Sequence, residues 1–211
     1  MRKNSFNGQF NKRMFLATTI IFACITAISI TPLKASASTK VKKAEALVET
    51  IYKNIFTIIK DDTVSSSQEK KLMILFNKYA DVPIIARTVL GSPWRKLSKK
   101  EKVKFTSSFR NYLTKKYAAQ FSEFSGAEMM VERSRDSGGR AGVLVETRLL
   151  MPGSPTIKVA WQVSDGSGSL KVVDVKIEGV SMLTTERGEI RSKLENKNGN
   201  VSALSTELER Y

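Results

Sequence analysis

The chain contains no histidine, a single cysteine and only two tryptophans among its 211 residues. Without histidine, imidazole acid/base catalysis, histidine metal sites and a Ser-His-Asp arrangement are all excluded by composition. Acidic residues are also scarce: 20 Asp and Glu face 35 Lys and Arg, a formal charge of +15 with pI near 9.9. Such a balance favours acidic partners, of which nucleic acid, anionic lipid and acidic protein surfaces are the usual three. No helix-turn-helix, RNP-like or zinc pattern is present, which argues against nucleic acid. Glycine-rich phosphate loops are missing too. Ser137-Gly138-Gly139 and Gly166-Ser167-Gly168 lie between expected strands, where turn glycines are the ordinary explanation. The carboxylates Asp81, Glu146, Asp174 and Glu178 form no paired acid/base motif, so no catalytic residue, cofactor or metal is assigned.

What is there begins with a leader. Arg2, Lys3, Lys12 and Arg13 precede the run MFLATTIIFACITAISI at 14–30, and Ala35-Ser36-Ala37 supplies a small-x-small cleavage pattern. This is the order of a secretory signal peptide, expected to be cut after Ala37 and to leave a single domain over 38–211. An uncleaved anchor helix and a lipoprotein attached through Cys24 are the alternatives. Removing 1–37 lowers the charge from +15 to +10 and takes the only cysteine with it. The remainder then has no disulfide and no thiolate nucleophile. With 41% hydrophobic and 26% charged residues, the chain as a whole is composed as a folded soluble protein.

Along 38–211 the hydrophobic period changes once. From Lys40 to Lys60 apolar residues recur at three- and four-residue steps, predicting one amphipathic helix. A polar break at Asp61–Ser67 leads to a second helix over Gln68–Tyr79 with Leu72, Leu75, Phe76 and Tyr79 inward. Asp81 as N-cap, Pro83 in the first turn and Gly91 at the end delimit a short third helix over 82–90. Ser98 and Glu101 have capping-box spacing for a long helix to about Ser125, carrying Phe105, Phe109, Leu113, Tyr117, Phe121 and Phe124 on one stripe. After Gly126 the period becomes 2. Strands are expected near 128–133, 143–151, 157–163 and 173–177, joined by tight turns as an antiparallel sheet. Helical character returns over 180–194 and 201–209. Helices, then strands, then helices is an α+β order. Apolar stripes suit a filled core as well as a pocket wall, and periodicity does not distinguish the two.

Several ordered motifs resemble one family. Asp81-Val82-Pro83-Ile84-Ile85-Ala86-Arg87 is followed by Val89-Leu90-Gly91-Ser92-Pro93-Trp94-Arg95. Later come Leu170-Lys171-Val172-Val173-Asp174-Val175 and Glu178-Gly179-Val180-Ser181-Met182-Leu183, with Arg187 beyond. Their order and spacing are similar to those of the MlaC-like periplasmic phospholipid-binding proteins, also called toluene-tolerance auxiliary proteins, over about Ala44–Leu208. Three positions depart from the family pattern: Leu170 replaces a tryptophan, Glu186 an aromatic and Ile190 a phenylalanine.

The resemblance implies a helical N-terminal half on a curved antiparallel sheet like that of nuclear transport factor 2 domains, with C-terminal helices, enclosing an apolar cavity. It implies no enzyme. The chain is expected to shuttle phospholipid in the periplasm between an outer-membrane lipoprotein and porin complex and an inner-membrane ABC transporter, in maintenance of outer-membrane lipid asymmetry. A carrier of another apolar lipid such as a hopanoid, or an enzyme on the same fold, are the alternatives. On this resemblance the lipid-binding candidates are Ile84, Ile85, Val89, Leu90, Phe109, Leu113, Tyr117, Val145, Leu149, Val159, Trp161, Val173, Val175, Val180 and Met182. Trp94 is read as an anchor between helices. Arg87, Arg95, Asp174 and Arg187 are read as internal ion pairs, with headgroup binding as the alternative, because a partly buried charge needs a partner more than a ligand does. Glutamate at Val175 or Val159 is expected to lower lipid occupancy more than stability.

Overall fold

The computed structural model describes residues 33–59, 66–124 and 126–211. Residues 1–32 of the leader assigned to 1–37, most of the polar break after Ile59 and the side chain of Phe121 lie outside the described residues. Four helices come first: α1 (Leu33–Ile58), α2 (Ser66–Tyr79), α3 (Val82–Leu90) and α4 (Lys99–Ser122). Five strands follow, β1 (Glu128–Asp136), β2 (Val143–Leu150), β3 (Ile157–Ser164), β4 (Lys171–Ile177) and β5 (Val180–Ser181), then α5 (Met182–Glu195) and α6 (Val201–Arg210). The strands form one antiparallel sheet in the order β1-β2-β3-β4-β5. This is the α+β architecture expected, with α1 starting seven residues before Lys40 and running through Ala35–Ala37.

The local signals act where they were read. The Asp81 side chain accepts from Ile84 N–H at 3.3 Å and starts α3, and Gly91 ends it with N–H donated to Arg87 O at 3.1 Å. Gly91 has φ 69° and ψ −133°, a region open to glycine and strained for other residues. At α4 the box is reciprocal: Glu101 N–H donates to Ser98 Oγ at 3.3 Å, and Ser98 N–H to Glu101 Oε2 at 2.8 Å.

The apolar side chains gather in two main cores. One is helical: Phe105, Phe109 and Tyr112 of α4 pack with Ala86 and Val89 of α3, Ile190 of α5, and Leu204 and Leu208 of α6. Trp94, in a short 3-10 turn over Ser92–Lys96, packs against this core and sits edge-on to Phe105 with centroids 6.4 Å apart. It therefore holds helices together as expected. The second core lies where Ala44, Val48 and Ile51 of α1 cover Val143 and Val145 of β2, Val163 of β3 and Val172 of β4. Burial of each large side chain contributes about 1.5–3 kcal/mol. Tyr52 Oη donates to Ala127 O at 2.6 Å and fixes α1 to the start of the sheet. Asp81 N–H donates to Val172 O at 2.9 Å, which ties the α2–α3 junction to β4.

Among the described residues, the ion pairs read for Arg87, Arg95, Asp174 and Arg187 do not form. All three arginines are exposed. The Asp174 carboxylate instead accepts from Ser181 Oγ at 2.7 Å and Leu183 N–H at 2.9 Å. Two donors at the entry of α5 satisfy it, so no cation is needed beside it.

Candidate functional site: an apolar cavity between helices and sheet

A cavity of about 200 Å³, partly open to solvent, lies between the two cores. Its wall is drawn from every layer. Ile51 and Ile55 come from α1, Leu72, Leu75, Phe76 and Tyr79 from α2, Ile85 from α3, and Leu113, Thr114, Tyr117 and Gln120 from α4. The sheet supplies Trp161 from β3 and Val172, Val173, Asp174, Val175 and Ile177 from β4, and α5 supplies Met182, Leu183 and Glu186. On α4 the spacing 113, 117, 120 keeps these side chains on one face. On β4 the register shifts opposite Gln162 and Val163, and Val172 and Val173 both reach the cavity. Two hundred cubic ångströms is less than the roughly 300–1,000 Å³ of pockets that enclose a drug-sized molecule.

Most polar atoms in the wall are satisfied by protein. Trp161 Nε1–H donates to Thr147 Oγ1 at 3.2 Å, and Thr147 donates on to Val159 O at 2.9 Å. The indole thereby offers the cavity an apolar ring. Thr114 donates to Arg110 O within its own helix at 3.0 Å. Gln120 is exposed at the rim.

Glu186 is the exception. Its side chain is 3% exposed and lines the cavity. Oε1 accepts from Lys116 Nζ at 2.8 Å and from the Tyr117 hydroxyl, whereas Oε2 is buried with no hydrogen-bond partner. Lys116 also donates to Glu189 and to Tyr112 Oη at 3.0 Å, and Tyr112 Oη donates to Glu189 Oε1 at 2.6 Å. The cluster bridges α4 and α5. Burial pushes both tyrosine hydroxyls well above their usual range, and the bonds to Glu189 from Tyr112 and to Glu186 from Tyr117 add to it. For Lys116, burial pulls downward, but hydrogen bonds to Glu186 and Glu189 outweigh it and raise the ammonium above its usual value. For Glu189, burial pulls upward, and the bonds from Lys116 and Tyr112 outweigh it to hold the carboxyl below the usual range.

Of the candidates read from sequence, Ile85, Leu113, Tyr117, Trp161, Val173, Val175 and Met182 come together in the cavity wall. The others lie elsewhere. Val89, Leu90 and Phe109 face the helical core, and Val145 packs under α1. Leu149 and Val159 form a further cluster with Ala127, Ile84 is half-buried outside the wall, and Val180 is 60% exposed at the sheet's end. Glu186 and the α1 and α2 residues were not among the candidates. The helix stripes were visible, yet nothing in their spacing separates a wall from a core. For Glu186 the one signal was a carboxylate where the family pattern has an aromatic.

Three comparisons bear on this arrangement. The MlaC protein family model matches residues 49–210. The intermembrane phospholipid transport system binding protein MlaC of Haemophilus influenzae is 24% identical over 108 residues, and the match spans about half of this chain and half of that protein (50% of each). A solved structure of the phospholipid-binding protein from Ralstonia solanacearum, in complex with a phospholipid, has the same fold. It superposes with a TM-score of 0.66 at 19% identity, covering 79% of this chain and 95% of that one. With the family model running through α1 to α6 and the ordered motifs inside it, the chain belongs to the MlaC family.

Proposed function

We propose that residues 38–211 carry a phospholipid, with acyl tail in the cavity between α1, α2, α4 and the sheet. The observation that carries this reading is the wall itself, apolar side chains from seven elements converging on space that the two cores leave unfilled. Each methylene buried there contributes about 0.8 kcal/mol, so ten give about 8 kcal/mol before the entropy of ordering the tail is subtracted. That is enough for binding without a specific hydrogen bond. The name of the Haemophilus relative and the phospholipid in the Ralstonia complex support lipid as the cargo. In this reading the leader at 1–37 exports the protein to the periplasm. There it shuttles lipid between an outer-membrane lipoprotein and porin complex and an inner-membrane ABC transporter. Among the described residues no helix is long and apolar enough to cross a membrane.

One observation favours a second reading. Glu186 and Asp174 place carboxylates in the wall, which an acid/base enzyme on this fold needs there, although Asp174 is already held by Ser181 Oγ and Leu183 N–H. The Lys116 ammonium and the Tyr117 hydroxyl beside it both hold their protons more tightly than usual, which suits fixed donors better than proton shuttles. Binding is therefore the function proposed.

Native mass spectrometry of gently purified protein, followed by extraction of the ligand, separates the readings. Carriage gives an added mass that extracts as an intact diacyl phospholipid. Bare polypeptide overturns carriage, a hopanoid or other neutral lipid changes the cargo, and a hydrolysed lysolipid favours the enzyme.

A further inference from the structure

The excess positive charge of the chain has no part in the cavity, and it is not spread evenly. Six of the ten residues 95–104 are basic, Arg95, Lys96, Lys99, Lys100, Lys102 and Lys104, against one acid, Glu101. Their net +5 is half of the +10 carried by 38–211. The segment leads from the 3-10 turn into the first turns of α4 and folds back on itself, with Lys102 Nζ 5.9 Å from the Trp94 ring centroid. Trp94, Leu97 and Phe105 anchor it in the helical core, and none of residues 95–104 lines the cavity. All the cations except half-buried Lys102 are exposed, and among the described residues none of the six forms an ion pair. Glu101 is held by Ser98 in the capping box. The acids of neighbouring α6 are engaged too: Glu207 pairs with Lys193 and Lys197, and Glu209 accepts from Ser108 Oγ at 3.0 Å. Local physics disfavours such a corner. A helix start attracts carboxylates and repels ammoniums, and Lys100 and Lys104 stand one turn apart as a like-charged pair. A local conflict with no internal compensation is where function is expected to override stability. Among these charges stands Val103, 70% exposed, one turn from Lys99 and Lys100 on the same helix face.

We propose that the corner formed by 95–104 docks the protein on an anionic bilayer surface, with the cations over lipid phosphates and Val103 entering between the headgroups. Two features select a bilayer over an acidic protein. Five of the six cations are lysines, compact charges on flexible stems that suit a mobile array of phosphates, whereas protein interfaces are enriched in arginine and depleted in lysine. A bilayer also accepts a single aliphatic side chain at the boundary of headgroups and tails without a matching pocket, while the lysine stems lie along it with their charges in water. Clusters of four to eight basic residues are the pattern that anionic lipid attracts. The corner shares no residue with the cavity wall, so docking and carriage are separable properties.

The test is co-sedimentation with vesicles of phosphatidylcholine, alone or with about 30% phosphatidylglycerol. Wild type and variants are purified from the same bacterial host in the same form, so the apolar run at 14–30, where retained, contributes equally to all. The wild type is expected to partition about a hundredfold more strongly onto the anionic vesicles at about 0.1 M salt and to lose most of this at about 0.5 M. K99Q with K100Q is expected to lower that partition about twentyfold, or about fivefold per charge, the ratio equivalent to about 1 kcal/mol. The matched pair K42Q with K43Q, exposed on α1, is expected to change it less than about twofold. V103S is expected to lower it about threefold. Urea midpoints of K99Q with K100Q at or above the wild type would show that these lysines serve binding and not the fold. Equal partition onto both kinds of vesicle overturns the proposal, and so does a loss in K42Q with K43Q as large as in K99Q with K100Q, which would make net charge the cause. Binding that is unchanged in V103S and competed fully by polyglutamate assigns the corner to acidic protein surfaces and overturns the bilayer. Native mass spectrometry of the same samples reads bound lipid separately, so any of these failures leaves carriage standing.

Discussion

Val175 and Val159 are both inward residues of one sheet, on neighbouring strands, and the fold gives them different surroundings. Val175 is paired with Trp161 and faces the cavity, half-buried. Val159 is 5% exposed and packed with Ala127 and Leu149. The sequence treated them alike because both fall on the same parity of an alternating strand. The structure separates their expected behaviour. In V175E the carboxylate reaches the cavity and its open side, so lipid occupancy falls several-fold while the unfolding midpoint changes little. In V159E the charge is enclosed without a partner, and stability drops by about 3 kcal/mol or more. Urea unfolding and native mass spectrometry on the two variants check this, and equal loss of both quantities in V175E would make it a plain core residue. Thr147 shows the same limit of sequence reading. Its buried hydroxyl, which accepts the Trp161 indole N–H, was one more alternating strand residue until β2 and β3 were placed side by side.

At the scale of elements, what was legible depended on whether a boundary is set locally. Both ends of α3 were, since Asp81, Pro83 and Gly91 each act through their own backbone. Gly91 permits a direct check. A Cβ built there meets nothing within 4 Å, so G91A carries only the backbone strain of φ 69° and is expected to lose about 1–3 kcal/mol of stability. Denaturant titration should show the shift in midpoint with an unchanged slope. An unchanged midpoint would remove glycine's conformational role at this helix end. Boundaries set by a distant partner were not legible. The start of β4 depends on its pairing with Ser164 and on the register shift opposite Gln162 and Val163. The two residues of β5 read as the start of a helix because only their pairing with Lys176 and Ile177 makes them a strand. The turn between them places Glu178 at φ 48° and Gly179 at φ 82°, the conformation of a tight hairpin.

For the whole molecule, the cavity is space enclosed between a helical core and a sheet core, so a ligand that fills it binds the folded state alone. Protein loaded with lipid is therefore expected to unfold at higher temperature than protein stripped of it. A hundredfold excess over the dissociation constant gives about 2.7 kcal/mol, or about 5–10 °C for a chain of this size. Scanning calorimetry of the two forms measures it, and coincident transitions would count against a lipid seated in the cavity. The sequence by itself determined the composition limits, the order of helices and strands, the caps of α3 and α4, and the ordered motifs that resemble the MlaC family. Each of these depends on residue type or on neighbours a few positions away. Only the tertiary structure decided which apolar faces close into filled core and which leave a cavity, that the exposed Arg87, Arg95 and Arg187 form no internal pairs, and that Glu186 meets Lys116 and Tyr117 seventy residues away. The reason is physical: periodicity states which side of an element avoids water, whereas a cavity is a property of the distance between two such sides, fixed by how α1, α2, α4 and the sheet pack.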